Sequence, residues 1–141
     1  MVSLEEIRHR NKIIREYITG RTWDKNSEFL LIQKIINGDI VQNYIEKYSY
    51  IFDYEWEVID GYTNHGKGDL VFTDAQGNFL IIECKYINLN ETGKTARTKR
   101  RNNRRHIEKQ VPKYINAFKW KTPDAKNVIG IGVTNEEIIL I

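Results

Sequence analysis

The chain has one cysteine, Cys84, and only three histidines, scattered along its length. A single cysteine excludes an internal disulfide, and so few separated thiol and imidazole groups speak against a structural zinc site. No apolar run approaches the length that spans a membrane. The opening Met-Val-Ser-Leu-Glu-Glu lacks the cationic-then-apolar pattern of a secretory signal. There is no internal repeat, linker or low-complexity tract. What remains is a single domain over residues 1–141, 40% hydrophobic and 29% charged, long enough to bury one core. The expected setting is intracellular: cytoplasmic, or nuclear in a eukaryote.

The order of elements can be read from periodicity and punctuation. Ser3-Leu4-Glu5-Glu6 is a capping box. Leu4, Ile7, Asn11, Ile14 and Ile18 then follow helical spacing, with Asn11 as a polar break and Gly20 as the end. A second helix is predicted from near Asp24 to Ile36, stopped by Asn37-Gly38. The stretch Ile40 to Phe52 is ambiguous and is compatible with a short helix. Tyr54 to Asp60 alternates as a strand. Asp69 to Thr73 and Phe79 to Tyr86 are apolar, β-prone runs. Arg97 to Trp120 reads as a long helix, in which Pro112 introduces a kink or begins a second half. Val128 to Val133 and Glu137 to Ile141 are final strands. The expected order is α-α-β-β-β-α-β-β, an α/β domain with a small mixed sheet.

The segment Gly66-Lys67-Gly68-Asp69-Leu70-Val71-Phe72 … Leu80-Ile81-Ile82-Glu83-Cys84-Lys85 carries the most chemistry. Between its two runs, Asp74-Ala75-Gln76-Gly77-Asn78 has the composition and length of a hairpin loop. Closing that loop symmetrically pairs Thr73 with Phe79 and, in the same register, Asp69 with Glu83. Directly opposed side chains share a face with Cβ atoms about 5 Å apart. Glu83 and Lys85, two residues apart on a strand, point the same way roughly 7 Å from each other. Asp69, Glu83 and Lys85 are thus predicted to converge. Opposed like charges destabilise a hairpin, and buried carboxylates are costly unless paired or metal-bound. A divalent cation offsets that cost, and hard oxygen donors suit Mg²⁺. A metal-bound water beside a lysine is equipped to hydrolyse a phosphodiester. The plainer alternative is that Glu83 and Lys85 form an ion pair on a half-exposed strand.

These residues resemble the PD-(D/E)xK nuclease superfamily, with its restriction-endonuclease-like fold. The resemblance is close over Gly66 to Lys85. It extends to Gln110-Val111-Pro112-Lys113-Tyr114, which is similar to the Gln-x-x-x-Tyr motif of the RecB-like and λ-exonuclease-like branch. It implies an α/β core with a small mixed sheet flanked by helices. It further implies that Asp69 and Glu83, with the backbone carbonyl of Cys84, hold Mg²⁺ or Mn²⁺, while Lys85 orients or activates the attacking water. Gln110 and Tyr114, one helical turn apart, would support the site or the phosphate. Tyr114 has mainly a packing role in this reading. One departure is Gly68, where the superfamily pattern has proline. In several branches, including the Holliday-junction resolvases, a glutamate from the helix before the sheet completes the metal site, and Glu28 stands in that place. Glu28 has a second reading, as an acid favoured near a helix N-terminus by the macrodipole. Many relatives are dimers or tetramers, so a homodimer is among the expected partners.

The charge is unevenly distributed. From Lys94 to Arg105 there are seven cations (Lys94, Arg97, Lys99, Arg100, Arg101, Arg104 and Arg105) and no acid. Of 22 basic residues in all, 15 are left against 19 acidic ones elsewhere, a net of −4. A basic segment after the proposed catalytic strand suggests a grip on a nucleic-acid backbone. The alternatives are a solvated loop or an import signal at Lys99-Arg100-Arg101. His65 and His106 lie near the motif and the basic segment, where either can reach phosphate or simply face solvent. Cys84 alternates away from Glu83 and is expected to be a core thiol.

The function expected from these readings is metal-dependent hydrolysis of DNA phosphodiester bonds, resolvase-like in one branch of the resemblance. The alternative is a catalytically silent nucleic-acid-binding module that uses residues 94–105. A protein-interaction domain is a third class and accounts worst for the basic segment. No membrane partner is expected.

Overall fold

In the computed structural model of the protein, residues 2–57, 67–87 and 93–141 are described, the side chains at 57, 93 and 94 excepted. Helix α1 (Leu4–Gly20) starts where Ser3 accepts the Glu6 N–H. Its polar interruption serves the sheet. Asn11 Oδ1 accepts the Ile51 N–H at 2.8 Å, giving a partner to an edge-strand backbone donor. Helix α2 (Ser27–Ile36) is capped by Asn26, whose side chain accepts the Glu28 and Phe29 N–H groups. It therefore begins three residues later than predicted. At its other end the Gly38 N–H reaches Ile35 and the Asp39 N–H reaches Lys34, with Gly38 at φ +79°. This is the Schellman closure that a glycine permits.

The ambiguous stretch resolves into a short helix α3 (Gln42–Lys47) followed by strand β1 (Tyr50–Glu57). This strand opens four residues before the predicted Tyr54. Alternation is broken there by an irregularity between Ile51 and Asp53, which hides the strand period. The rest of the predicted strand, Val58 to Asp60, and Gly61, Gly66 and His65 lie outside the described residues. Strands β2 (Lys67–Thr73) and β3 (Asn78–Lys85) form the hairpin in the predicted register, from Thr73↔Phe79 to Leu70↔Ile82. Helix α4 (Gly93–Lys121) is continuous through Pro112, which is exposed on the helix surface. Water can meet the carbonyl that loses its donor there. Strands β4 (Asn127–Thr134) and β5 (Ile138–Leu140) follow.

The five strands lie in the order β1-β2-β3-β4-β5, antiparallel except for the parallel β3–β4 pair. This is a mixed α/β fold, a five-stranded mixed sheet flanked by helices. On one face Leu70, Phe72, Leu80, Ile82, Cys84, Ile131 and Val133 join α1, α2 and α3. On the other, Phe52, Trp56, Val71, Phe79 and Ile81 meet Tyr114 and Phe118 of α4. Two glycines let α4 approach β4 closely. A Cβ on Gly130 would stand 2.3 Å from a Val111 methyl, and one on Gly132 2.2 Å from an Ile107 methyl. Among the described residues no helix is long and apolar enough to cross a membrane.

Candidate active site

The hairpin ladder ends at Leu70↔Ile82, and beyond it a side chain takes over from the backbone. Asp69 Oδ2 accepts the Cys84 N–H at 2.7 Å, which fixes the aspartate against β3. Glu83 follows Phe79 and Ile81 on the α4 face and is only 6% exposed. Its partner on β4 is Gly132, over which Ile107 of α4 sits. Glu83 therefore has aliphatic cover on one side and Asp69 on the other. Burial, a hydrogen bond to Asp69 and the Asp69 charge push its carboxyl up to about 10, against the lowering influence of Lys85. At neutral pH it holds a proton, and its Oε2 is buried without a hydrogen-bond partner. Asp69, Glu83 and Lys85 are thus brought together. Cys84 alternates to the opposite face, where its thiol is a buried part of the other core.

The α4 residues are placed by the close packing on Gly130 and Gly132. Gln110 and Tyr114 are four apart, so they lie on one side of the helix with His106 one turn earlier. Tyr114 is buried edge-on to Trp56, with centroids 5.8 Å apart, and burial with the Glu83 and Asp69 charges pushes its hydroxyl up to about 12. Packing and proximity to both carboxylates therefore coincide in this residue. The Gln110 Oε1 is buried without a partner. Partial burial and the Lys85 charge lower the pKa of His106, against the Glu28 charge.

Gly68 also acquires a reason. A Cβ there would lie 2.1 Å from the Trp56 indole nitrogen, so the indole occupies the space that a proline ring would need.

Glu28 reaches the site from α2. It lines a cavity of about 400 Å³ with Asp69, Arg21, Asp24, Tyr54 and Glu55, and its charge adds to the upward pressure on Glu83. Nothing in the sequence singled out Arg21 or Asp24 for this lining, and Glu55, though exposed, joins it as well. Glu55 turns toward the cavity because its backbone has φ +50°, which breaks the alternation that a strand reading assumes. The one sequence signal for this region was the unclaimed aromatic turn Arg21-Thr22-Trp23.

The basic segment divides around α4. Arg100 pairs with Glu136, and Arg104 with both Glu108 and Glu137. At about 100° per residue, Arg97, Arg101 and Arg105 project roughly 140–180° around the helix from Gln110, while Lys99 lies on its side. The Lys94 side chain is outside the described residues.

No protein-family model, curated protein or solved structure matches this chain.

Whether a metal fits must be judged on these side chains. Among the described residues no three His, Cys, Asp or Glu side chains are already grouped as a ready set of ligands. The donor chemistry nonetheless suits a hard cation: two adjacent carboxylates, one with an orphaned buried oxygen, and a third on the same cavity. The proton on Glu83 stands where such a cation would offset the charge.

Proposed function

We propose that the protein is a metal-dependent nuclease that hydrolyses DNA phosphodiester bonds, with a restriction-endonuclease-like core. The observation that carries this reading is the Asp69–Glu83 pair at the open end of the hairpin. Two carboxylates are held together there, beside Lys85, at the expense of a raised Glu83 pKa and an unpartnered oxygen. Structural carboxylates are ordinarily paired with cations instead. Asp69, Glu83, the Cys84 carbonyl and Glu28 would hold Mg²⁺ or Mn²⁺, which supplies charge neutralisation and a lowered pKa for bound water.

The chain's own residues have separable roles. Asp69 is oriented by the Cys84 N–H, so its carboxylate is held in a fixed direction. Glu83 would hold the metal as a carboxylate, its proton passing to solvent. Lys85 positions the water for in-line attack and offsets negative charge developing on phosphorus. Gln110 faces the same region from α4 with an unused acceptor that can hold the water or a phosphate-bound proton. A homodimer would bring two such sites to two strands.

The test is cleavage of labelled single-stranded, double-stranded and four-way-junction DNA in Mg²⁺, Mn²⁺ or EDTA. Metal-dependent cutting by the wild type, lost in Asp69→Asn and Lys85→Ala, is the expected result. Cutting that survives either substitution in a clean preparation would sink the proposal. A silent nucleic-acid-binding module is the second reading, favoured by the absence of a ready-made ligand trio among the described residues. It predicts equal DNA binding in EDTA and Mg²⁺ and no cutting in either.

A further inference from the structure

The turn between α1 and α2 carries an exposed aromatic group that the proposed chemistry does not use. Trp23 is 73% exposed and Tyr17 is 54% exposed. The Arg21 guanidinium lies 5.3 Å from each of these ring centroids and 4.3 Å from that of Phe29. It is not a loose side chain, because it donates to the Tyr17 hydroxyl at 3.1 Å and is ion-paired with Asp24. Tyr17 in turn lies 6.2 Å from Tyr54. Arg21 and Tyr54 line the 400 Å³ cavity together with Glu28 and Asp69. Tyr17 and Trp23 flank the Arg21 guanidinium outside that lining, so the aromatic group adjoins the opening that contains Asp69 and shares Arg21 with it.

The chemistry of that opening selects its occupant. Aspartate and glutamate line it more heavily than cations do, so it does not attract a free phosphate. An aromatic cage of this kind would suit a ligand cation, but Arg21 already fills that position. What remains available is the flat outer face of Trp23, backed by a fixed guanidinium. A flat, polarisable surface of that sort takes a nucleobase, because every base has a π-face. The volume lies in the range of small-ligand sites, which allows one nucleotide to enter. Because Arg21 is held in place beforehand, little ordering is needed on binding.

We propose that Tyr17, Arg21 and Trp23 form a stacking platform for an unpaired base next to the phosphate presented to Asp69 and Lys85. The proposal rests on the nuclease reading of that site and adds a substrate class to it. The preferred substrates are strands with an unstacked nucleotide at the cleavage point, such as single-stranded ends, flaps, bulges and branch points, and not continuous duplex. In a continuous duplex each base is stacked between neighbours and has no face to offer.

The test measures binding, without cleavage. A single-stranded DNA oligonucleotide bearing 2-aminopurine, and the duplex of the same sequence, are titrated with the protein in EDTA while 2-aminopurine fluorescence and anisotropy are followed. The wild type is expected to bind the single strand more tightly and to quench the probe. Trp23→Ala should weaken single-strand binding by roughly 5- to 100-fold and abolish quenching. Trp23→Phe should restore most of both, and duplex binding should stay within about twofold throughout. Trp23 is exposed enough that its removal should leave the melting temperature unchanged, which is checked in parallel. Wild-type single-strand affinity and quenching in a folded Trp23→Ala protein would overturn the platform. Metal-dependent cleavage by that same variant would leave the nuclease reading standing. If the wild type binds neither DNA, the platform falls, and the cleavage assay in Mg²⁺ or Mn²⁺ decides the nuclease reading separately.

Discussion

The two ends of the β2–β3 hairpin are built on opposite priorities. At the turn end Phe79 meets Phe118 at 5.0 Å and Phe52 at 5.1 Å, and Trp56 adds a further edge-on contact to Phe118. The rings pack on one another and the backbone ladder is intact. Four residues along the same strand and on the same face, burial and Asp69 raise the Glu83 carboxyl, and one of its oxygens has no partner. One end of the hairpin stabilises the fold, and the other keeps a charge conflict in place. The conflict persists because Asp69 is tied to Cys84 and α4 is seated on Gly130 and Gly132. Local rules fail at the open end, and the surrounding structure holds that failure in position.

The contrast is challenged most forcefully at the turn end. Phe118→Ala removes a buried ring in contact with Phe52, Trp56 and Phe79. The expected loss is about 3–5 kcal/mol of unfolding free energy, read from urea denaturation with an unchanged slope. Gly68→Ala comes next, because its Cβ would meet the Trp56 indole at 2.1 Å and that ring cannot move freely within the cluster. Overpacking of this kind costs about 1–3 kcal/mol. A useful control is Gly20→Ala, which meets nothing within 4 Å and should leave stability level or slightly raised. Equal effects from the two glycine substitutions would refute the steric account of Gly68.

At the open end the expected sign reverses. The Glu83 carboxyl is raised from its usual 4.5 to about 10 in the fold. Between those values the unfolded chain has lost this proton while the folded protein retains it. Stability contributed by this group is therefore complete below about pH 4.5 and is lost as pH rises through about 10. Glu83→Gln keeps a donor for Asp69 without the titration. In EDTA at pH 8 it should be more stable than the wild type by about 1 kcal/mol, with a flatter pH profile. Saturating Mg²⁺ should raise the wild-type melting temperature, since a ligand at 100 times its Kd contributes about 2.7 kcal/mol. Glu83→Gln should show little of that shift. A wild type less stable at pH 5 than at pH 9 would rule out the raised carboxyl, provided Glu83→Gln flattens the profile.

How much of this could be read from the sequence depends on whether the signal was local. The hairpin register was legible because loop length and strand alternation fix Thr73 against Phe79, and Asp69 and Glu83 follow from it. The caps at Ser3 and Asn37-Gly38 were legible for the same reason. The start of β1 was not, because its irregularity near Phe52 disrupts the period-two pattern. Asn11 looked like a flaw in an apolar stripe, since its partner is the Ile51 N–H, 40 residues away. Gly130 and Gly132 looked unremarkable until α4 was placed on them. The left-handed backbone at Glu55 leaves no local trace, so the cavity it lines could not be anticipated.

The basic segment is the clearest case of a local pattern with a non-local answer. Seven cations in twelve residues read as one patch, yet the helix distributes them around its axis. Two of them are tied to acids, Arg100 to Glu136 and Arg104 to Glu137 and Glu108. These pairs are solvent-exposed, so their loss should barely change the melting temperature. Their effect should fall on nucleic-acid binding instead. In the wild type, any phosphate must displace Glu136 or Glu137 before it reaches Arg100 or Arg104. Replacing both acids, Glu136→Gln with Glu137→Gln, frees Arg100, leaves Arg104 held by Glu108 alone, and should tighten DNA binding at low salt. Each additional phosphate contact on duplex steepens the dependence of log affinity on log salt by about 0.9, so the slope should become steeper by about one to two. An unchanged slope would mean that the DNA backbone does not run past this side of α4. Contact would then fall to another side of the helix, either the one with Lys99 and Gln110 or the one with Arg101 and Arg105.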